Sequence, residues 1–242
     1  MKLHRITKAI ILAAGKSTRF GSNKLIEPIL GKSTIQYCVE FCIDNNIKDC
    51  YITINKSDFY FKNNTILTHP IIEALSQYKD KISIYYEFQN ENEYGPGAAI
   101  KVWKDKVNES FLCLFGDNFY KGDLGLDFID PNRSICSFKD YDKRARNLQL
   151  ATIIDNIVVE KPHGVVSGRY FCGYMIFNHD AFSKLDSIKM SSRGEYEITH
   201  LINAMKDVQF EPLTIDWYDL TYEEDKFMIE QIIKNINAKN NE

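Results

Sequence analysis

The feature that most constrains this chain is the rhythm of its first half. Ala9 to Ala14 reads Ala-Ile-Ile-Leu-Ala-Ala, six residues without a polar side chain. A strand of that kind must be covered on both faces. Ser33-Thr34 then caps a helix whose apolar residues Ile35, Cys38, Val39, Cys42 and Ile43 fall at i, i+3, i+4, i+7 and i+8, one face of a 3.6-residue period. Cys50–Ile54 is a strand, Pro70 opens a helix through about Lys79, Ile82–Phe88 is a strand, Gly97–Trp103 is helical, and Phe111–Phe115 is a strand buried on both faces. Such alternation predicts an α/β fold: a Rossmann-like mixed, mostly parallel sheet flanked by helices. Ligands in such sheets bind outside the carboxyl ends of the strands.

After Asp117 the rhythm changes. "SICSF", "LQLATII", "IVVEK" and "YFCGYMIF" read as strands with short links, so an antiparallel or mixed section. Helices follow around Asp180–Leu185 and Glu195–Lys206, with a short strand at "PLTI". A last helix runs from Glu223 to about Asn235, with Phe227, Met228, Ile232 and Ile233 as its expected inner face, and residues 236–242 read as a frayed tail. No repeat or linker divides the 242 residues, so residues 1–235 are expected to be a single domain.

Composition excludes several classes of function. A net charge of −3 offers no basic field for nucleic acid. No apolar run approaches the ~18 residues that span a membrane, and Ile10–Ala14 is too short for the core of a signal peptide. The six cysteines form no Cys-x-x-Cys and mostly sit in apolar runs, which points to buried reduced thiols and a cytoplasmic location. The five histidines are scattered, so no zinc site is expected.

Gly15-Lys16-Ser17 looks like the end of a P-loop, but the glycine that must open the turn is replaced by Ile10; before Gly31-Lys32-Ser33 the same position is Ile26. A dinucleotide fingerprint fails too, because only Gly15 and Gly21 are present. What remains is a strand that ends in small residues, Ala13, Ala14 and Gly15, followed by Ser17, Thr18, Arg19 and Lys24. These small side chains, hydroxyls and cations suit a polyphosphate. They suit a tight turn with solvated cations equally well.

The same stretch, "LAAGKSTRFG" with Lys24 beyond it, resembles the signature of the sugar-1-phosphate nucleotidylyltransferases. So, in the family's order, do "FGDNFY" (Phe115–Tyr120), "VVEKP" (Val158–Pro162), "YFCGYMIF", "SSRGEYEITHLI" (Ser191–Ile202) and "DWYDLTYEED". The resemblance implies a nucleotide-binding half over about residues 1–120 and an acceptor-binding half over 121–235. It implies transfer of a nucleotidyl group to a sugar 1-phosphate, with release of pyrophosphate. The nucleophile is a phosphate oxygen, already largely ionised near neutral pH, so no general base is required. Catalysis is then positioning and charge neutralisation, with Mg²⁺ as the implied cofactor.

By the same resemblance Leu12, Ala13, Ala14, Gly15 and Gly116 contact the nucleotide. Gln89, Gly95, Pro96 and Gly97 form the loop that recognises the base, expected to be a pyrimidine. Arg19 and Lys24 neutralise the phosphates, and Lys161 holds the sugar phosphate. Asp117 and Asp219 are the metal ligands, while Glu160, Gly173 and Glu197 meet sugar hydroxyls. The sequence departs from the family where Leu220-Thr221 lacks a glycine, where Asn23 precedes Lys24, and where Asn147 replaces a glycine. The alternatives are a cytidylyltransferase for a non-sugar phosphate such as phosphocholine, a glycosyltransferase (argued against by the lack of Asp-x-Asp), and an inactive nucleotide-sugar-binding protein. The length leaves no room for the acetyltransferase domain of some relatives, so a bifunctional enzyme is not expected. The resemblance also allows a homo-oligomer.

Overall fold

The computed structural model describes residues 5–17, 20–62, 66–148, 150–160 and 168–239. In chain order the elements are β1 (Lys8–Ala13), the hairpin β2 (Pro28–Ile29) and β3 (Lys32–Ser33), α1 (Thr34–Asp44), β4 (Asp49–Ile54), the hairpin β5 (Tyr60–Lys62) and β6 (Ile66–Thr68), α2 (Pro70–Leu75), β7 (Ser83–Phe88), α3 (Pro96–Lys101), β8 (Phe111–Phe115) and β9 (Asn118–Lys121). The second half holds β10 (Ser134–Asp140), α4 (Lys143–Leu148), β11 (Thr152–Ile154), β12 (Ile157–Val159), β13 (Arg169–Phe177), α5 (Ala181–Leu185), α6 (Ile198–Ala204), β14 (Val208–Pro212), β15 (Asp216–Asp219) and α7 (Asp225–Lys239).

The expected mixed sheet is present. Strands β8, β1, β4 and β7 lie side by side and parallel. β13 joins β8 antiparallel and carries β11 and β10, β11 continues into β12, and β14 pairs parallel with β10. Both faces of the parallel strands are covered. One core cluster holds Ile11, Ile35, Cys38 and Ile52; the other holds Ile10, Cys113, Trp103 and Leu201. On α1 the residues Ile35, Cys38, Val39 and Cys42 are buried as the period predicts, and Phe41 is buried with them. Its start is fixed by a capping box in which the Ser33 N–H donates to Gln36 Oε1 (2.8 Å). All six cysteines are buried and free.

The second half departs from the sequence reading in five places. "LQLATII" is not one strand: Leu148 ends α4, a helix the apolar pattern does not announce, and only Thr152–Ile154 pairs in the sheet. Residues 195–197 precede α6, because extended Glu197 (φ −74°, ψ 140°) is its N-cap. "PLTI" links two strands; β14 ends at Pro212 and β15 begins at Asp216. On α7 the inner face is Ile229, Ile232, Ile233 and Ile236, whereas Phe227 and Met228 are exposed. The helix starts at Asp225 and runs to Lys239, past the expected tail boundary at 236.

Candidate active site

The parallel register places Leu12 opposite Phe115, so β1 and β8 end together. Past β1 the chain turns through Ala14, Gly15, Lys16 and Ser17, where Ser17 takes a left-handed φ of 49°. Leu12, Ala14, Gly15, Ser17 and Lys24 line one side of a cleft; Gln89, Tyr94, Gly95 and Pro96 line the other. Ala13 points away into the core. A Cβ added at Gly15 would meet nothing within 4 Å, leaving room for a ligand against the backbone. Gly116 is different. It donates to the Leu12 carbonyl (2.9 Å), and a Cβ there would stand 3.1 Å from Ile35 Cδ1 and from Leu12 O, so this glycine serves the junction of β8 with β1.

The loop between β7 and α3 is sewn to the second half of the chain. Gln89 is buried, and its amide NH₂ donates to the carbonyls of Gly95 (3.1 Å) and Glu93 (3.3 Å), which leaves its carbonyl as the group to offer a ligand. The Tyr196 N–H donates to Tyr94 O (2.7 Å), and the Gly97 N–H donates to Tyr196 O (2.7 Å). Gly95 and Gly97 are glycines because of this seam. Added Cβ atoms would stand 2.7 Å from Tyr196 N and 2.9 Å from Tyr196 O. Residues 195–196 fill the space that side chains at Gly95 and Gly97 would need. Lys16 lies over the Tyr94 ring, 4.6 Å from its centroid.

A second cleft shares Pro96, Phe115, Asp117 and Glu195 with the first. It brings together Glu160, Gly173, Glu197 and Asp219. Arg193, given no role from sequence, is the hub of this wall. It forms a two-toothed pair with buried Glu197 (2.9 and 2.8 Å), and reaches Glu195 (3.4 Å) and Glu160 (3.5 Å). Burial works against its charge, but Glu197, Glu160 and Glu195 outweigh that and raise its pKa. Ser191 also donates to Glu197 Oε1 (2.7 Å). Gly173 (φ 74°) sits at the bulge where β13 shifts register against β10; a Cβ there would meet Leu213 Cδ1 at 2.6 Å. Cys172 lines this cleft, but burial pushes its thiol up to about 12, so it stays protonated at neutral pH.

Asp117 and Asp219, distant in sequence, meet through a two-stranded ribbon. β9 and β15 pair antiparallel with Asn118 opposite Asp219, and the Leu220 N–H donates to Asp117 O (3.1 Å). Oriented to satisfy both neighbours, the Asn118 amide donates to Asp117 Oδ1 (3.0 Å) and accepts from Trp217 Nε1 (2.9 Å). Lys24 pairs with Asp117 and also donates to Leu220 O (3.0 Å). Asp219 accepts from Arg144 (2.8 Å) and from the Thr221 hydroxyl (2.5 Å). The turn after Asp219 needs no glycine, since residues 219–222 have no positive φ. Two carboxylates on one cleft suit a hard cation that takes its remaining ligands from substrate oxygens and water. No group of three or more His, Cys, Asp or Glu among the described residues could hold a metal without such help. Arg19 and Lys161 lie outside the described residues.

Residues 9–117 match the MobA-like NTP transferase domain family. Over 93% of its length the chain is 25% identical to the UTP–glucose-1-phosphate uridylyltransferase AglF of Haloferax volcanii, covering 95% of that protein. It is 27% identical to the bifunctional protein GlmU of Methanocaldococcus jannaschii over 96% of this chain, but spans only 56% of that longer relative. Among solved structures, a glucose-1-phosphate thymidylyltransferase from Bacillus anthracis superposes with a TM-score of 0.73 at 21% identity, covering 93% of this chain and 94% of that one. A UDP-glucose pyrophosphorylase bound to UDP-glucose gives 0.75 at 19% identity, with 95% and 99% covered. These two likenesses establish the fold. The chain is a nucleotidyltransferase. Within that class it is a relative of the sugar-1-phosphate nucleotidylyltransferases.

Proposed function

We propose that the protein transfers a nucleotidyl group from a pyrimidine nucleoside triphosphate to a sugar 1-phosphate, releasing pyrophosphate. The observation that carries this reading is the meeting of the two clefts at Asp117. A triphosphate on the β1 turn and a sugar 1-phosphate in the second cleft would face each other across that carboxylate. Lys24, already at Asp117, neutralises charge on the donor phosphates. Glu160 and Glu197 accept hydrogen bonds from sugar hydroxyls, with Arg193 holding both carboxylates in place. The Gln89 carbonyl, freed by its amide's bonds to the loop, accepts from the N–H edge of a pyrimidine. Arg19 and Lys161 take the phosphate-binding roles that the family resemblance implies.

The reaction breaks the bond between the α-phosphorus and the bridging oxygen as the acceptor phosphate oxygen forms the new one. No group of the protein has to remove a proton. Asp117 and Asp219 are the residues that would hold Mg²⁺, which supplies charge neutralisation and alignment of the phosphates when bound. Asn118, Trp217 and Thr221 fix the directions of the two carboxylates. The reading places the protein in the cytoplasm; no helix among the described residues is long and apolar enough to cross a membrane.

The test is a matrix of five nucleoside triphosphates against several sugar 1-phosphates and choline phosphate, with Mg²⁺ and pyrophosphate release as readout. UTP with glucose 1-phosphate is the first pair to try, because AglF is named for it. Turnover with choline phosphate and with no sugar phosphate would refute the proposed acceptor class.

A further inference from the structure

Each candidate metal carboxylate is held by a cation of the chain itself. Lys24 holds Asp117, and Arg144 holds Asp219. Lys24 belongs to the opening motif. Arg144 lies in none of the motifs and comes from α4, the helix missing from the sequence pattern. Its NH2 donates to Asp219 Oδ1 (2.8 Å) and to the Asp219 carbonyl (2.9 Å), while its NH1 donates to Asp225 Oδ1 (2.7 Å). The guanidinium lies over the Tyr218 ring, 4.1 Å from its centroid. Asp225 is buried, and its second oxygen accepts from the N–H groups of Thr221 (2.9 Å) and Tyr222 (2.7 Å).

These bonds are not equally replaceable. Asp225 is locked in the protein and absent from the acceptor cleft, and the Asp219 carbonyl is main chain. The Asp219 carboxylate lines the cleft, where a cation from solvent can reach it. A guanidinium that lost the bond to Oδ1 would keep its two other bonds and its stack on Tyr218. An arriving divalent cation would compete for Oδ1 and would be repelled by the charge beside it.

We propose that Arg144 is the resident counter-cation and positioning residue of Asp219. It keeps the carboxylate aimed at the cleft while no divalent cation is bound, and it yields Oδ1 when one binds, staying anchored to Asp225 and to the Asp219 carbonyl. The inference rests on the reading of Asp219 as a metal ligand. Its consequence runs against the usual expectation for a supporting residue: Arg144 orders the site but weakens cation binding.

The experiment titrates Mn²⁺ into the full chain without nucleotide, following free Mn²⁺ by electron paramagnetic resonance. Arg144→Gln should tighten Mn²⁺ binding by roughly three- to tenfold, the scale of removing one unit charge a few ångströms from a divalent cation in a well-solvated site. Arg144→Lys, which keeps the charge, should stay within about twofold of the parent protein by the same argument. In an Asp219→Asn background Arg144→Gln should change nothing. Unchanged or weaker binding in a folded Arg144→Gln variant, with Asp219→Asn still weakening Mn²⁺, overturns the role of Arg144 alone. If Asp219→Asn leaves Mn²⁺ binding intact, the metal reading of Asp219 falls and takes this inference with it. Should Arg144→Gln fail to fold, Arg144→Gln with Asp225→Asn removes the buried charge pair together; compared with Asp225→Asn alone it must show the same tightening, and equality of the two overturns the proposal.

Discussion

Replacing Gly95 by alanine tests whether the seam between residues 94–97 and Tyr196 couples the two clefts. Gly95 has φ 112° and ψ 169°, a region essentially reserved for glycine, and its α-carbon faces the Tyr196 main chain. An alanine that stayed in place would cost about 1–3 kcal/mol in backbone strain. It would also thrust a methyl to 2.7 Å from Tyr196 N and 2.8 Å from Tyr196 O, main-chain atoms that cannot swing aside. The cheaper escape is to open the seam. That gives up the two 2.7 Å bonds between residues 94–97 and Tyr196. At about 1 kcal/mol each, opening costs about 2 kcal/mol. The variant should therefore fold, with amide hydrogen exchange around residues 94–97 and 195–197 faster by roughly 30-fold, since each 1.4 kcal/mol is a factor of ten. Gln89 loses its anchor at Gly95 O, and Glu197 follows Tyr196 directly in the chain. KM should therefore rise for both substrates in initial-rate assays. If only the nucleotide KM moves, the loops act independently and the coupling argument is wrong.

Three other outcomes follow from the same geometry. Asp117→Asn should lower turnover by at least about a hundredfold, the equivalent of several kcal/mol of charge stabilisation, while its melting temperature stays near that of the parent; near-normal pyrophosphate release would refute the metal assignment. Ile229→Ala should cost about 2–5 kcal/mol in urea unfolding, because this fully buried side chain packs with Ile29, Phe119 and Leu220 in a small cluster of its own. His69 is held below its usual 6.5 by burial, although its bond to the Asn55 carbonyl works the other way. Its Nδ1 accepts the Ile71 N–H (3.2 Å), a bond that a proton on that nitrogen would abolish. The folded state thus binds fewer protons, so this stability is complete above about pH 6.5 and is lost as pH falls towards the lowered value. Thermal melts between pH 7.5 and 5.5 should decline in the parent and flatten in His69→Asn, and parallel slopes would refute the assignment.

The first half was legible because its information is local. Ala9–Ala14 has no polar face, and the apolar spacing from Ile35 to Cys42 fits a helix, so sheet and cover follow from an unbroken apolar strand and a 3.6-residue period. The candidate site was legible where residue type and position combine, as at Asp117, which follows a buried strand. The roles of Arg144 and Arg193 were not legible, nor was the stack of Lys16 on Tyr94. An ion pair between Arg144 and Asp219 leaves no period, and an arginine beside one carboxylate in sequence can serve another far away. The α7 face was misread for a related reason. Phe227 and Met228 are the larger apolar residues, but the helix turns towards β15 and β2, and the angle set by Asp225 buries Ile229 instead. Gly95 and Gly97 show a third limit: the glycines were noticed, but what approaches them was not in the sequence.

The ribbon of β9 and β15 has a consequence for how the protein is made. Residues 8–121 contain the adjoining parallel strands β8, β1, β4 and β7 and most of the first cleft, and they leave the ribosome before residues 216–225. Yet Asp117 gains its neighbour Asp219, its orienting Trp217 and the carbonyl that steadies Lys24 only after residues 216–225 have been synthesised and docked. A nascent chain can therefore shape the nucleotide half before it can assemble the pair of carboxylates. The two carboxylates therefore meet only once residues 216–225 have docked on β9, well after the first cleft has its walls.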